Sequence, residues 1–94
     1  MPRNTTVSVA SATWTQITDA DVTAITFQNV SDFSMFVKAT TDTNAPTNLT
    51  GAIKYGPGQG ERAAAMADLF PGLTGADRVW VYAEPGVQVF VSHA

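Results

Sequence analysis

The sequence predicts an all-β protein, a small antiparallel β-sandwich or jelly-roll-like barrel of about seven strands with one short helix. Three observations carry this. Residues Arg78–Ser92 (RVWVYAEPGVQVFVS) alternate strictly, with Val79, Val81 and Ala83 against Trp80 and Tyr82, then Val87, Val89 and Val91 against Gln88, Phe90 and Ser92. Period-two alternation of β-branched and aromatic residues is the strand signature. Threonine, alanine and valine are abundant while lysine and glutamate are scarce, a composition that favours strands over helices. Short apolar runs recur at close intervals between clusters of Gly, Pro, Asn and Asp, the spacing of turns in a sandwich.

The elements are expected in this order. Met1–Thr6 is a flexible arm that runs into a short strand, Thr5–Ala10, with Val7 and Val9 on one face. Trp14–Ile17 is a second strand, anchored by Trp14 and Ile17, and Thr18–Asp21 turns on its aspartates. Val22–Val30 is a longer strand with Ile25 and Phe27 on one face and Val22 and Ala24 on the other. Asn29–Asp32 is turn-like. Ser34–Thr40 follows with Met35, Val37 and Ala39 on one face and Phe36 on the other, and its spacing suggests a hairpin with the strand before it. Thr41–Thr50 is a polar loop.

Gly51–Tyr55 reads as a short strand at a sheet edge, where Lys54 would discourage stray pairing. Gly56–Gly60 is a turn. Glu61–Phe70 is the one helical window, because Ala63, Met66, Ala67 and Phe70 form an i, i+3, i+4, i+7 stripe. Arg78–Ser92 is expected to be a hairpin whose turn is Glu84-Pro85-Gly86.

A chain of 94 residues is read as one domain, residues 1–94. It carries a formal net charge of −3, with only 14% charged residues. That balance argues against nucleic acid as a partner. The five cations, Arg3, Lys38, Lys54, Arg62 and Arg78, are scattered along the chain and make no patch by sequence. There is no cysteine for a disulfide or a thiolate metal site. No apolar window is long enough for a transmembrane helix, so no membrane is expected as a partner. No apolar segment follows Met1-Pro2-Arg3-Asn4, so export through a signal peptide is not expected.

No residue pattern specifies a reaction, a cofactor or a metal. His93 is the only histidine and is next to last, which reads as a simple tail residue. Gly56-Pro57-Gly58-Gln59-Gly60 lacks the lysine of a phosphate loop, and Glu61 would repel a phosphate. Asp19 and Asp21 form a DxD pair, too few oxygens for a calcium loop and better read as an ordinary Asx turn. The informative residues are Phe36, Trp80, Tyr82 and Phe90, which strand parity puts on the second face of their strands. Either the Glu61–Phe70 helix covers that face or the rings are an interface. Four such rings side by side would make a patch at or above the roughly 300–600 Å² usual for the largest on a soluble monomer.

Five segments carry a resemblance: WTQITDADVTAITFQNVS (Trp14–Ser31), FVKAT (Phe36–Thr40), GPGQGE (Gly56–Glu61), LFPGLTGADRVWVYA (Leu69–Ala83) and VFVSHA (Val89–Ala94). In this order the chain resembles small virion proteins of tailed bacteriophages and prophages, especially those of alphaproteobacterial hosts. The most specific pieces are Asp21–Asn29, Gly56–Glu61, Leu69–Tyr82 and Val91–Ala94. The resemblance implies a decoration or cement protein on the capsid exterior, assembled in the host bacterial cytoplasm. It implies contact with the major capsid protein, self-association as a homotrimer, and no enzymatic activity. The alternatives are another virion part (head-fibre base, tail tip or spike) and a host-surface carbohydrate-binding module using Trp80 and Tyr82 as stacking platforms. The resemblance carries no binding motif, so the interface residues rest on strand parity alone.

Overall fold

The computed structural model describes residues 2–94. Eight strands and one helical turn follow in order: β1 Arg3–Val9, β2 Thr15–Gln16, β3 Ala24–Asn29, β4 Met35–Thr40, β5 Ile53–Tyr55, β6 Gly60–Ala65, α1 Met66–Leu69, β7 Arg78–Tyr82 and β8 Val87–His93. They form two four-stranded antiparallel sheets, β1-β8-β3-β6 and β2-β7-β4-β5. The molecule is a β-sandwich of 30 × 26 × 19 Å.

The core lies where the valine faces meet. Val79 and Val81 of one sheet face Val87, Val89 and Val91 of the other, joined by Ile25, Phe27, Met35, Val37 and Ala39, all buried. Full burial of a valine-sized side chain contributes roughly 1.5–3 kcal/mol, so this seam is the main source of stability. Phe27 meets Tyr55 edge to face with ring centroids 5.1 Å apart, closing the core between β3 and β5.

The Arg78–Ser92 segment forms two strands but not a hairpin. β7 pairs with β2 and β4, and β8 pairs with β1 and β3, so Glu84-Pro85-Gly86 carries the chain from one sheet to the other. The Glu84–Pro85 peptide is cis. Gly86 lies so close to β1 that a Cβ there would stand 2.3 Å from the Val9 carbonyl oxygen. The β3–β4 pair is likewise split between the sheets. Alternation fixes which face is apolar; it does not decide whether two such faces lie side by side or opposite each other.

The expected helix over Glu61–Phe70 is replaced by β6 and a four-residue turn of helix. Gly60–Ala65 completes the sheet beside β3, whose backbone groups would otherwise lack partners on that side. A lone ten-residue helix is marginal, and the ladder wins. Between Ile25 and Phe27, β6 carries two residues against Thr26 alone, a bulge. Ala63 takes a left-handed φ of 48° there and donates its N–H to Thr26 Oγ1 at 2.9 Å. Gly60 is forced, because a Cβ would lie 1.9 Å from the Phe27 carbonyl oxygen.

The expected arm Met1–Thr6 is also corrected: residues from Arg3 onward belong to β1, in continuous register with β8 from Arg3↔His93 to Val9↔Val87. Val22 lies outside β3 and is buried along with Ile25 and Phe27, where parity put it with Ala24 on the face opposite them. Asp21, at φ 63°, turns the chain just before it. Elsewhere the turn chemistry is local. The Asn29 carboxamide accepts the Ser31 N–H, and Asn48 accepts that of Thr50.

Candidate interaction surface

On the sheet β2-β7-β4-β5, the residues that do not enter the core form a regular outer face. Register places Lys54 beside Phe36 and Phe36 beside Tyr82. Trp14, one residue before the paired Thr15↔Val81, brings its ring centroid to 5.4 Å from that of Tyr82 at an interplanar angle of 45°. Lys54, Phe36, Tyr82 and Trp14 thus make one row across β5, β4, β7 and the residue leading into β2, about 14 Å long at the usual strand spacing. The three rings are half-buried and Lys54 is exposed.

The next row is Lys38, Trp80 and Gln16. Trp80 is only 8% exposed, although it stands on the outer face. Its indole N–H donates to Thr40 Oγ1 at 2.9 Å, and that hydroxyl donates to the Asp42 carbonyl at 2.8 Å. Lys38 reaches the Asn48 carbonyl and side-chain oxygens at 3.4 and 3.3 Å, tying the Thr41–Thr50 loop to this face. Arg78 follows on the same face, bound to Asp77 at 2.9 Å. Three of the five cations, scattered in sequence, therefore share one face with the aromatic row. The acids at its margin include Asp42, Asp77 and Glu84, and Tyr82 Oη lies 3.4 Å from a Glu84 carboxylate oxygen.

The four residues singled out by parity do not form one patch. Phe36 and Tyr82 are neighbours. Trp80 is shielded within its own chain. Phe90 belongs to the opposite sheet, in register with Thr6 and Gln28. Because β7 and β8 lie in different sheets, their outer faces look in opposite directions. Trp14 and the two lysines are the members that sequence reading missed. They meet the row only through pairing with partners more than sixty positions away for Trp14, and no local signal marks it.

His93 is not a loose tail. Its side chain is fully buried at the end of β8, where Nε2 accepts the Asp19 N–H at 3.2 Å and Nδ1 lies 3.0 Å from the Ala94 carbonyl oxygen. Arg3 donates to Asp19 Oδ1 at 3.0 Å and to the Ile17 carbonyl at 2.9 Å. The Asp19 carboxylate is thus held by Arg3 rather than by an Asx turn, and Asp21 stands apart from it at the rim of a groove. Among the described residues, no group of three His, Cys, Asp or Glu side chains could hold a metal ion.

That groove, about 540 Å³, is lined mainly by apolar side chains, including Val22, Met66, Phe70 and Leu73. Gly56–Gly60 is a structural turn: Gly58 donates its N–H to the Asn29 carbonyl at 2.8 Å and the Gln59 side chain accepts the Gly56 N–H at 2.6 Å. Among the described residues, no helix is long and apolar enough to cross a membrane. Comparison with protein-family models, with curated protein sequences and with solved structures finds no match to this chain.

Proposed function

We propose that this chain is a structural virion protein that decorates and stabilises a tailed-phage capsid from outside, bound to the major capsid protein and to copies of itself. The observation that carries the reading is the row Lys54, Phe36, Tyr82 and Trp14 on an otherwise acidic protein. Half-buried aromatic side chains flanked by cations make an anchoring surface, since Trp and Tyr dominate interface energetics and a charged rim sets the partner's sign. The sequence resemblance to small tailed-phage virion proteins supports the same reading. The partner surface this face fits is apolar at its centre, with acidic groups opposite Lys38 and Lys54, whereas Arg78 is already paired with Asp77. Each contact is small, and attachment gains strength from repetition on a symmetric lattice.

Electron cryomicroscopy of particles made by the strain that encodes the chain tests this. The expected result is density for the sandwich on the outer shell, on the order of hundreds of copies per particle, with the β2-β7-β4-β5 face toward the capsid. A few copies at one vertex or at the tail would make it a tip, spike or fibre-base module instead. Absence from purified particles would overturn the reading. Binding to glycans in an array would favour a carbohydrate-binding module, with Trp14 and Tyr82 as the stacking pair.

A further inference from the structure

The two sheets have four edges, and three are blunted. β2 is two residues long. β5 is three residues long and carries the exposed Lys54. β6 is interrupted by the bulge at Arg62 and Ala63 and carries the charges of Glu61 and Arg62. Short strands, charges and bulges are the usual devices against edge-to-edge pairing. The fourth edge has a single charge, Arg3 at its very start, and no other such device. β1 is seven residues long, pairs with β8 without a register break, and runs uncharged from Asn4 to Val9. Among the described residues β8 is the only strand beside it, and Asn4, Thr5, Thr6 and Ser8 are all exposed. Its other side therefore presents a row of backbone donors and acceptors with nothing built to repel a strand.

We infer that the free edge of β1 pairs antiparallel with β1 of a second copy, joining two four-stranded sheets into one of eight strands across a two-fold axis. The inference departs from the decoration reading, whose expected self-association is a homotrimer, by naming a surface and giving it two-fold symmetry. The occupant is a second copy because the strand is self-complementary. Centred on Thr6, the pairing sets Thr6 opposite Thr6, Asn4 opposite Ser8 and Thr5 opposite Val7. Outward residues then meet outward residues, and hydroxyl and β-branched pairs are favourable across strands. Arg3 falls opposite Val9, so the one cation of the strand does not meet its symmetry mate. No carboxylate lies on β1, so two chains of net charge −3 can approach there without like charges in register. The surface beside the joint is neutral as well: Gln88, Phe90 and Ser92 of β8 and Ala24, Thr26 and Gln28 of β3 carry the outer face. Depletion of charge is the compositional mark of an interface core.

The test is sedimentation equilibrium of the full chain from about 1 μM to about 1 mM, the span of weak to moderate affinities. The wild type is expected to form pairs. Thr6→Lys and Thr6→Glu each place like charges opposite each other and are expected to weaken pairing at least about tenfold. Mixing the two variants is expected to restore pairs, a result that misfolding could not give. Amides on the free side of β1 should exchange more slowly as concentration rises. A wild type that stays single over this range overturns the inference, as does a trimer or other oligomer that both variants leave intact. The second result would leave the decoration reading standing. Pairing that behaves as expected in a protein absent from particles would remove that reading and keep this one.

Discussion

The Tyr55 hydroxyl donates to Glu61 Oε2 at 3.1 Å, across the side of the sandwich where β5 of one sheet and β6 of the other run close together. It is a hydrogen bond between edge strands of opposite sheets. Burial raises the Tyr55 pKa well above the ordinary phenol value, and the hydrogen bond to Glu61 and that carboxylate's negative charge push it the same way. The folded state therefore holds the neutral phenol more tightly than the unfolded chain does. Its contribution is complete below the unfolded value of about 10 and is lost as pH rises beyond it. Urea midpoints should decline above about pH 10. Tyr55→Phe should cost about 1 kcal/mol near neutrality and make the alkaline decline shallower. An unchanged alkaline slope in the variant would show that other groups govern it.

Ala63 is one of two exposed alanines, with Ala12, held in the left-handed region. At φ 48° in the β6 bulge it is exposed, so the left-handed backbone is a local cost with no compensating packing. Relief of roughly 1–2 kcal/mol from the left-handed region is offset by the roughly 0.5–1 kcal/mol that glycine adds to chain entropy. Ala63→Gly should thus raise stability by about 0.5–1 kcal/mol, and Ala63→Val should lower it. Thermal unfolding reads both, since 1 kcal/mol moves the midpoint by roughly 4–8 °C in a domain of this size. A destabilised glycine variant would mean that the bulge is not left-handed in solution.

The two outcomes just described concern places that sequence reading did not reach, and the reason is common to both. The alternation of β7, β8, β3 and β4 fixed the buried face of each strand, and Val79, Val81, Val89, Val91, Ile25, Phe27, Met35 and Val37 all point inward as their periods require. Period says nothing of partners. β7 and β8 could have been neighbours or opposites with the same residues inside, and the choice depends on Gly86 passing under the Val9 carbonyl and on pairings with β1, β2, β3 and β4. The Ala63–Phe70 stripe had the spacing of a helix, but an open edge beside β3 outweighed a propensity worth tenths of a kcal/mol per residue. The aromatic row had the same fate: Phe36 and Tyr82 were legible by parity, while Trp14 and Lys54 joined them only through register.

His93 makes a prediction that needs no titration. Because Nε2 accepts the Asp19 N–H, the proton of the neutral ring sits on Nδ1, directed at the Ala94 carbonyl. Long-range proton–nitrogen correlation on the neutral ring should show the Nδ1–H tautomer. His93→Phe keeps the ring's bulk but leaves the Asp19 N–H without its acceptor, and should cost about 1–3 kcal/mol. A ring found as the Nε2–H tautomer would remove the bond between β8 and the Asp19 turn.

The aromatic row and Phe90 lie on opposite faces, which lets the docking side be decided by a pair of substitutions. Tyr82→Ser removes the ring at the centre of the row, and the side chain is only half-buried, so the fold should survive. If the β2-β7-β4-β5 face binds the shell, this variant should attach to particles stripped of the chain at least about tenfold more weakly, the loss typical of a truncated aromatic anchor. Lys54→Glu reverses the charge at the end of the same row and should weaken attachment further, more at low salt than at high, because rim charges are screened. Phe90→Ser, on the far sheet, should leave attachment unchanged. Pelleting of particles with each purified variant, checked first for wild-type thermal unfolding, reads all three. Loss of attachment with Phe90→Ser but not with Tyr82→Ser would put the shell against the β1-β8-β3-β6 face. That would also set the shell against the neutral surface flanking the free edge of β1, so pairing through that edge and docking would involve the same side of the molecule.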